Sequence, residues 1–359
     1  MRKENKMGLG SFIIRRLLLV IPTILGVTIL IFAVTMMLSP ATRAMIYIHD
    51  PKQLSSIEDI IRMYGLRDPA YEQYFRWLQQ VLSGNLGWGI TDKCPVLKSI
   101  ITRLPRTAEI VLPSIPIIIL VGIYFGVQAA VHQDRATDHV TRFWAIFGWS
   151  LPTFWLAIML LAIFYGYLGW FPPGTAGYPL GNKAVQYVTG GQWHSYTGIF
   201  TIDGFLNGQA WISLDAIKHL VLPTMGLTII QMALIIRVMR SSMLETLGKN
   251  YIITAKAKGL KNKEVINRHA RRNALIPVMT LSGMLAAGLL TGAVITETIY
   301  GIQGLGLWAA NAALGGTGGG SVDVPSVLGF AMFACLVYVF ANLIVDVLYA
   351  YLDPRIRLE

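Results

Sequence analysis

Six charge-free apolar runs decide what this chain can fold into: Leu17–Leu38, Ile110–Val131, Phe143–Leu168, Leu220–Ile236, Leu275–Thr296 and Val327–Val345. A helix of about 20 apolar residues crosses the hydrocarbon of a bilayer, where every backbone N–H and C=O must be bonded within the protein. The fourth run is the shortest and is expected to continue helically past Arg237. Composition agrees: 14% of the 359 residues are charged, against roughly 25% in a soluble domain. The expected fold class is an all-α membrane protein with six transmembrane helices. The first run follows a basic stretch, Met1–Arg16, and its 22 residues exceed the apolar core of a cleaved signal, about 7–15 residues. It is expected to be retained as a span.

Charge gives the chain a direction. Short segments 1–16, 132–142, 237–274 and 346–359 hold nineteen of the thirty Lys and Arg, and segments 169–219 and 297–326 hold two. The positive-inside rule then places both termini in the cytoplasm of a multi-pass cell-membrane protein. Segment 39–109 carries the remaining nine on the other side, as a long translocated loop does regardless of its charge. A net charge of +11 gathered on one membrane face gives no reason to expect a nucleic-acid partner.

Segment 39–109 is expected to form a small helical cap outside the membrane. Ser55-Ser56-Ile57-Glu58 has capping-box spacing and opens a run to Tyr64. Pro69 precedes a second run, Tyr71–Leu82, whose Tyr74, Trp77, Leu78 and Val81 share a face. A third piece, Pro95–Leu104, leads into the second span. Such periodicity reports a buried face and leaves open whether the cap is structural or binds a partner. The domain organisation is therefore 1–38, N-terminus and first span; 39–109, outer helical segment; and 110–359, a five-helix core containing the loop 237–274.

Several chemistries lack their residues. Cys94 and Cys335 lie in a polar loop and an apolar run, with no CxxC motif. No GxxxxGK[ST] is present, and the glycine run Gly315–Gly320 has no lysine, so no cofactor, and no ATP, is expected on this polypeptide itself. HExxH, GxSxG and paired membrane aspartates are also absent. Glu109, His219, Glu297 and Asp346 fall at span edges in the sequence, which disfavours a carrier driven by its own mid-membrane titrating group. The spans carry Pro22, Pro113, Pro116, Pro152, Pro223 and Pro277, with small pairs Gly122/Gly126 and Gly288/Gly292. These predict bent helices and close helix contacts.

The loop Arg237–Ala274 holds ten basic residues, two acids and Gly259. Ser241–Lys258 reads as one helix, Gly259 suits the left-handed position after it, and Asn262 is placed to cap a second helix to Arg272. Topology explains the Lys and Arg, but not the pattern Ala255-x-Ala257-x-Gly259, which predicts a docking knuckle.

Tyr251-Ile252-Ile253-Thr254-Ala255-Lys256-Ala257-Lys258-Gly259-Leu260, followed by Arg268-His269-Ala270-Arg271-Arg272-Asn273-Ala274-Leu275-Ile276-Pro277, resembles the EAA loop of permease subunits of binding-protein-dependent ABC importers, in the form of the peptide/nickel branch. Four further blocks are similar to that family: Ser150–Trp155 to SLPxFW, Arg240–Glu245 to RSSxLE, Glu297–Tyr300 with Gly304–Gly306 to ETxF…GLG, and Asp346–Tyr349 with Asp353–Arg357 to DxxY…DPRIR. Ile253 replaces the Glu of the general pattern, segment 169–219 is longer than usual, and the glycine run before Asp323 reads as an insertion. The resemblance implies a cytoplasmic coupling hairpin between helices 4 and 5. It implies a second homologous permease, two ATPase subunits that carry ATP and magnesium, and an extracytoplasmic binding protein. At the ATPase dock it places Thr254 and His269, and assigns close packing to Ala255, Ala257 and Gly259 and a polar rim to Lys256, Lys258, Arg268 and Arg271. Peptide is the expected cargo. Trp170, Tyr178, Trp193, Tyr196 and Trp211 keep an oligosaccharide open, and chelated nickel fits less well because no His/Cys/Met cluster is present. A self-sufficient secondary carrier is the rival of another class.

Overall fold

The computed structural model describes residues 9–48, 57–174, 190–191, 193–315 and 322–352. Ser55 and Ser56 of the expected capping box, Tyr178, residues 316–320 of the glycine-rich run and the block Asp353–Arg357 lie outside the described residues. The described chain is almost wholly helical, with one short antiparallel pair, β1 (Trp88–Gly89) and β2 (Cys94–Pro95). Among the described residues, five helices are long and apolar enough to cross a membrane, or six if one bent pair is a single span.

In chain order the helices are α1 (Leu9–Thr35), α2 (Pro40–Ala44), α3 (Ile57–Met63), α4 (Ala70–Leu82), α5 (Val96–Val131), α6 (Ala136–Ser150) and α7 (Thr153–Tyr167). There follow α8 (Phe200–Leu206), α9 (Ala210–Leu247), α10 (Asn250–Ala257), α11 (Asn262–Leu290), α12 (Val294–Tyr300), α13 (Leu305–Ala313) and α14 (Val324–Leu352).

The core forms where α5 and α9 lie parallel. A Cβ on Gly122 would sit 2.6 Å from Ile235 Cγ2, and one on Gly126 would sit 2.6 Å from Met239 Cβ. Only glycine permits that approach, so the expected Gly122/Gly126 contact is present. Ile110, Val111, Ile118, Leu222, Ile235 and Met239 fill the seam with side chains from α7, α11 and α12. Outside this centre α1 and α14 pair with each other; much of α1 is exposed, while most of α14 is half-buried. Arg16 meets Asp346 at 3.1 Å.

The third expected span is not straight. α6 and α7 make an angle of 100° at Leu151-Pro152, where Leu151 is extended (φ −74°, ψ 127°). Proline lacks an N–H and pushes the preceding residue out of the helical region, so the helix breaks there. α5, α9 and α11 run on through Pro105, Pro113, Pro116, Pro223 and Pro277. α6 climbs antiparallel to α9, with Asp138 beside Arg240 and Gly148 beside Ile229. The chain then reaches α8, which packs near Pro105 and Glu109 at the far end.

Two other boundaries move. The expected helix Pro95–Leu104 is the first part of α5 and not a separate piece of the cap. The expected fifth span to Thr296 ends at Leu290; the turn through Gly292 (φ +124°) folds α12 back into the core. On α4, Tyr74, Trp77, Leu78 and Val81 pack in a cluster with Phe32, Ile46, Tyr47, Ile60, Ile61 and Leu66.

Candidate functional site

The basic loop folds as two helices meeting at a knuckle. The expected helix from Ser241 to Lys258 is interrupted. α9 stops at Leu247, Lys249 is extended, and α10 begins at Asn250, since Gly248 is a poor helix former and a natural stop. At the tip Gly259 has φ +82°, the left-handed conformation expected of it. Its N–H donates to Lys256 O at 2.9 Å, and the Leu260 N–H to Ala255 O at 3.4 Å, the paired bonds of a Schellman close. Closing the turn keeps Lys261 extended, so Lys261 and not Asn262 is the residue before the next helix. That helix does not end at Arg272. It passes through a π turn at Val265–Ala270 and continues as α11 to Leu290.

The knuckle is rooted in the protein interior. Ile252 and Ala255 of α10, with Val265, Ala270 and Ala274 of α11, are buried in the same cluster as Met239 and Met243 of α9. Asn273 Nδ2 donates to Tyr251 Oη at 2.9 Å. The base is fastened to α6 by a bidentate pair: Arg240 Nε and Nη2 donate to Asp138 Oδ1 and Oδ2 at 2.6 and 2.7 Å. The backbone N–H of Asp134 adds a bond at 3.1 Å to the same carboxylate. Two parallel bonds on a buried carboxylate fix both position and angle.

Of the residues singled out in the sequence, Thr254, Lys256, Ala257, Lys258, Gly259, Arg268 and Arg271 are exposed, and His269 is half-buried. Ala255 is not among the outward ones; it packs against the chain's own core. The outward apolar side chains are Ile253 (60% exposed) and Ala257 on α10 and Leu260 at the tip, and Lys256, Lys258, Lys261 and Lys263 are exposed as well. Sequence reasoning noted Ile253 only as a departure. The signal was available: with Ile252 and Ala255 inward, Ile253 and Ala257 at i, i+4 must share the opposite face.

At the other end the carboxylates turn inward. Glu109 and Glu297, expected at span edges, are both buried. Glu109 Oε1 accepts the Thr201 N–H at 2.7 Å and so satisfies the start of α8. Glu297 Oε1 accepts from Thr107 Oγ1 and Oε2 from the Leu307 N–H, both at 2.8 Å, while the Leu305 N–H donates to Thr107 Oγ1. A carboxylate from α12 thus caps α13, a favourable place for negative charge. That gives the block Glu297–Tyr300 with Gly304–Gly306 a structural meaning. Asp203 accepts the N–H of Thr197 and of Gly198, and the Arg106 guanidinium lies 3.7 Å over the Phe200 ring. Beside Glu109, a cavity of about 610 Å³ with mostly apolar walls opens between α5, α8 and α9. Among the described residues no group of three His, Cys, Asp or Glu is placed to hold a metal ion.

An exposed helical knuckle is thus tied to α6, α9 and α11, opposite an end where buried carboxylates bond backbone N–H groups. Residues 118–358 match the model of the binding-protein-dependent transport system inner membrane component family. The chain is 34% identical over 331 residues to the probable D,D-dipeptide transport system permease protein DdpB of Escherichia coli, covering 92% of this chain and 93% of that one. It is 34% identical to the dipeptide transport system permease protein DppB of Alkalihalophilus pseudofirmus, covering 97% and 99%. It is also 34% identical to the oligopeptide transport system permease protein AppB of Bacillus subtilis, covering 97% and 100%. The chain belongs to the family of inner membrane components of binding-protein-dependent transport systems, and is a permease subunit of an ABC importer.

Proposed function

We propose that this permease carries peptides inward as one half of a translocation pathway, with a second homologous permease as the other half and two ATPase subunits seated on the knuckles. ATP and magnesium belong to those ATPases, this chain has no catalysis of its own, and an extracytoplasmic binding protein delivers the cargo. Six crossings, with α6 and α7 as one broken span, put both termini on the cytoplasmic side. The observation that carries the reading is the knuckle: outward apolar side chains and exposed lysines on a segment rooted in α9 and α11. A subunit gripping Ile253, Ala257 and Leu260 moves the ends of both helices together, and through Asp138–Arg240 it moves α6 as well. The bend at Leu151-Pro152 is where that movement is absorbed. Coupling requires such an element that both sites bias.

Peptide cargo is supported by the relatives, which are named as dipeptide and oligopeptide permeases. Of the aromatic residues that keep a sugar open, Trp193 packs its ring on Phe200 with centroids 5.7 Å apart, while Trp170, Tyr196 and Trp211 are exposed. A self-driven carrier is disfavoured because Glu109 and Glu297 are engaged in capping bonds.

The test is Gly259→Asp in the complete importer, reconstituted with labelled dipeptide and ATP. Aspartate tolerates the left-handed conformation better than most residues, and the position is open to solvent, so the variant folds and inserts. Uptake is expected to fall at least about tenfold. Uptake at the unmodified rate removes the assignment of the knuckle.

A further inference from the structure

The helix α4 carries an apolar face that the cap does not use. Its apolar side chains form one continuous arc: Trp77, Val81 and Tyr74 lead through Leu78 into Tyr71, Leu82 and Phe75. The first half packs on α1 and the cap cluster. Tyr71, Phe75 and Leu82 in the second half are 64%, 66% and 80% exposed. The polar arc opposite is self-contained, with Arg76 paired to Asp68 at 2.6 Å and to Glu72 at 3.0 Å, and Gln73 bonded to Arg43. An exposed aromatic and aliphatic stripe of this size outside a membrane is a liability unless something covers it.

The contacts of α4 with α1 say what covers it. Tyr74 Oη lies 3.0 Å from Thr28 Oγ1, and the Phe32 ring meets Tyr74 edge-on and Trp77 at a tilt, with centroids 5.4 and 5.6 Å apart. Arg16, paired with Asp346, is the last charged residue before the apolar run of α1, and we take it as one boundary of the crossing. At 1.5 Å per residue Thr28 is about 18 Å beyond that pair, so it lies about 12 Å short of the far side of a 30 Å hydrocarbon layer. The apolar stretch of α1 itself continues to Thr35. Leu25 and Ile29, beside Thr28 on α1, are exposed like the outer half of α4.

We propose that α4 is embedded in the outer leaflet as an interfacial amphipathic helix, with Tyr71, Phe75 and Leu82 against lipid acyl chains and its charged arc turned to the headgroups and the rest of the cap. The proposal requires that α1 crosses the membrane, and it holds whatever the cargo. Such a helix clamps the first span from the side and sets the height of the outer segment over the bilayer.

The experiment uses the complete importer in lipid nanodiscs, in a background with Cys94 and Cys335 replaced by serine. Single cysteines introduced as Phe75→Cys, Leu82→Cys and, on the polar arc, Gln79→Cys carry an environment-sensitive fluorophore. Quenching by lipids brominated high on the acyl chain is expected to be about fivefold stronger at 75 and 82 than at 79, with iodide quenching in the reverse order. Protection at 75 and 82 is expected to be the same with and without the binding protein. Equal iodide access at all three positions overturns the proposal. So does protection that appears only with the binding protein, or protection that survives in detergent without lipid quenching, which would assign the stripe to a protein neighbour. Normal peptide uptake by the labelled variants keeps this outcome separate from the fate of the import reading.

Discussion

The two ends of the permease treat charge in opposite ways. At the knuckle the lysines and arginines point outward while apolar residues, Ile252, Ala255 and Val265, hold the helices in place. At the far end Glu109, Asp203 and Glu297 point inward and bond backbone N–H groups of α8, α13 and the loop before α8. The first arrangement makes a surface that a partner can grip without disturbing the fold. The second makes a fold that resists being opened. A single chain thus separates its handle from its fasteners, and substitutions at the two ends should fail in different assays.

The largest expected effect is at the fasteners. Glu297→Ala leaves the Leu307 N–H and the Thr107 hydroxyl buried without an acceptor, a loss of about 3 kcal/mol. It should appear as a lower thermal midpoint and less folded protein, with uptake falling in proportion to the folded fraction. An unchanged midpoint would break the contrast. Asp138–Arg240 lies between the two extremes, because the carboxylate is buried and the arginine side chain is 20% exposed. Asp138→Ala, Arg240→Ala and the double variant form a cycle whose coupling energy should be about 1–3 kcal/mol. The singles should also lower uptake beyond their loss of folded protein, since they detach α6 from the knuckle. A coupling near zero would leave α6 mechanically independent of α9.

How much of this was legible in the sequence follows from the range of the interactions. The α5/α9 contact at Gly122 and Gly126, the left-handed Gly259 and the inward face of α4 were readable, because each rests on spacing within one helix or on one residue's backbone freedom. The bend at Pro152 was harder to assign. Six prolines sit in apolar runs, and which of them breaks its helix depends on what packs around it: α7 turns away to meet α12 through Tyr300 and Ala157. The burial of Glu297 was invisible for a similar reason. Its partner Thr107 is 190 residues away, and a glutamate just past an apolar run looks solvated until the chain folds back. Ala255 belongs to the pattern that marked the knuckle, yet the structure turns it inward and gives the outer surface to Ile253, Ala257 and Leu260. A motif names a segment, and helical phase decides which of its residues are available.

That last distinction sets the smallest effect on stability and the sharpest test of the contrast. Lys256→Ala with Lys258→Ala removes two exposed charges on the knuckle and touches no buried group. Surface changes of this kind leave the thermal midpoint where it is. Electrostatic contacts at the rim of an interface act on association, and they weaken as salt rises. The double variant is therefore expected to fold normally, to lose about fivefold in ATP-driven uptake at low ionic strength, and to differ less from the unmodified protein at high salt. Ile253→Ser, on the same knuckle, should lower uptake with little dependence on salt, because the lost contact is apolar. If the lysine pair instead lowered the midpoint while sparing uptake, the basic end would be a fastener like the other, and the division between the two ends would fall.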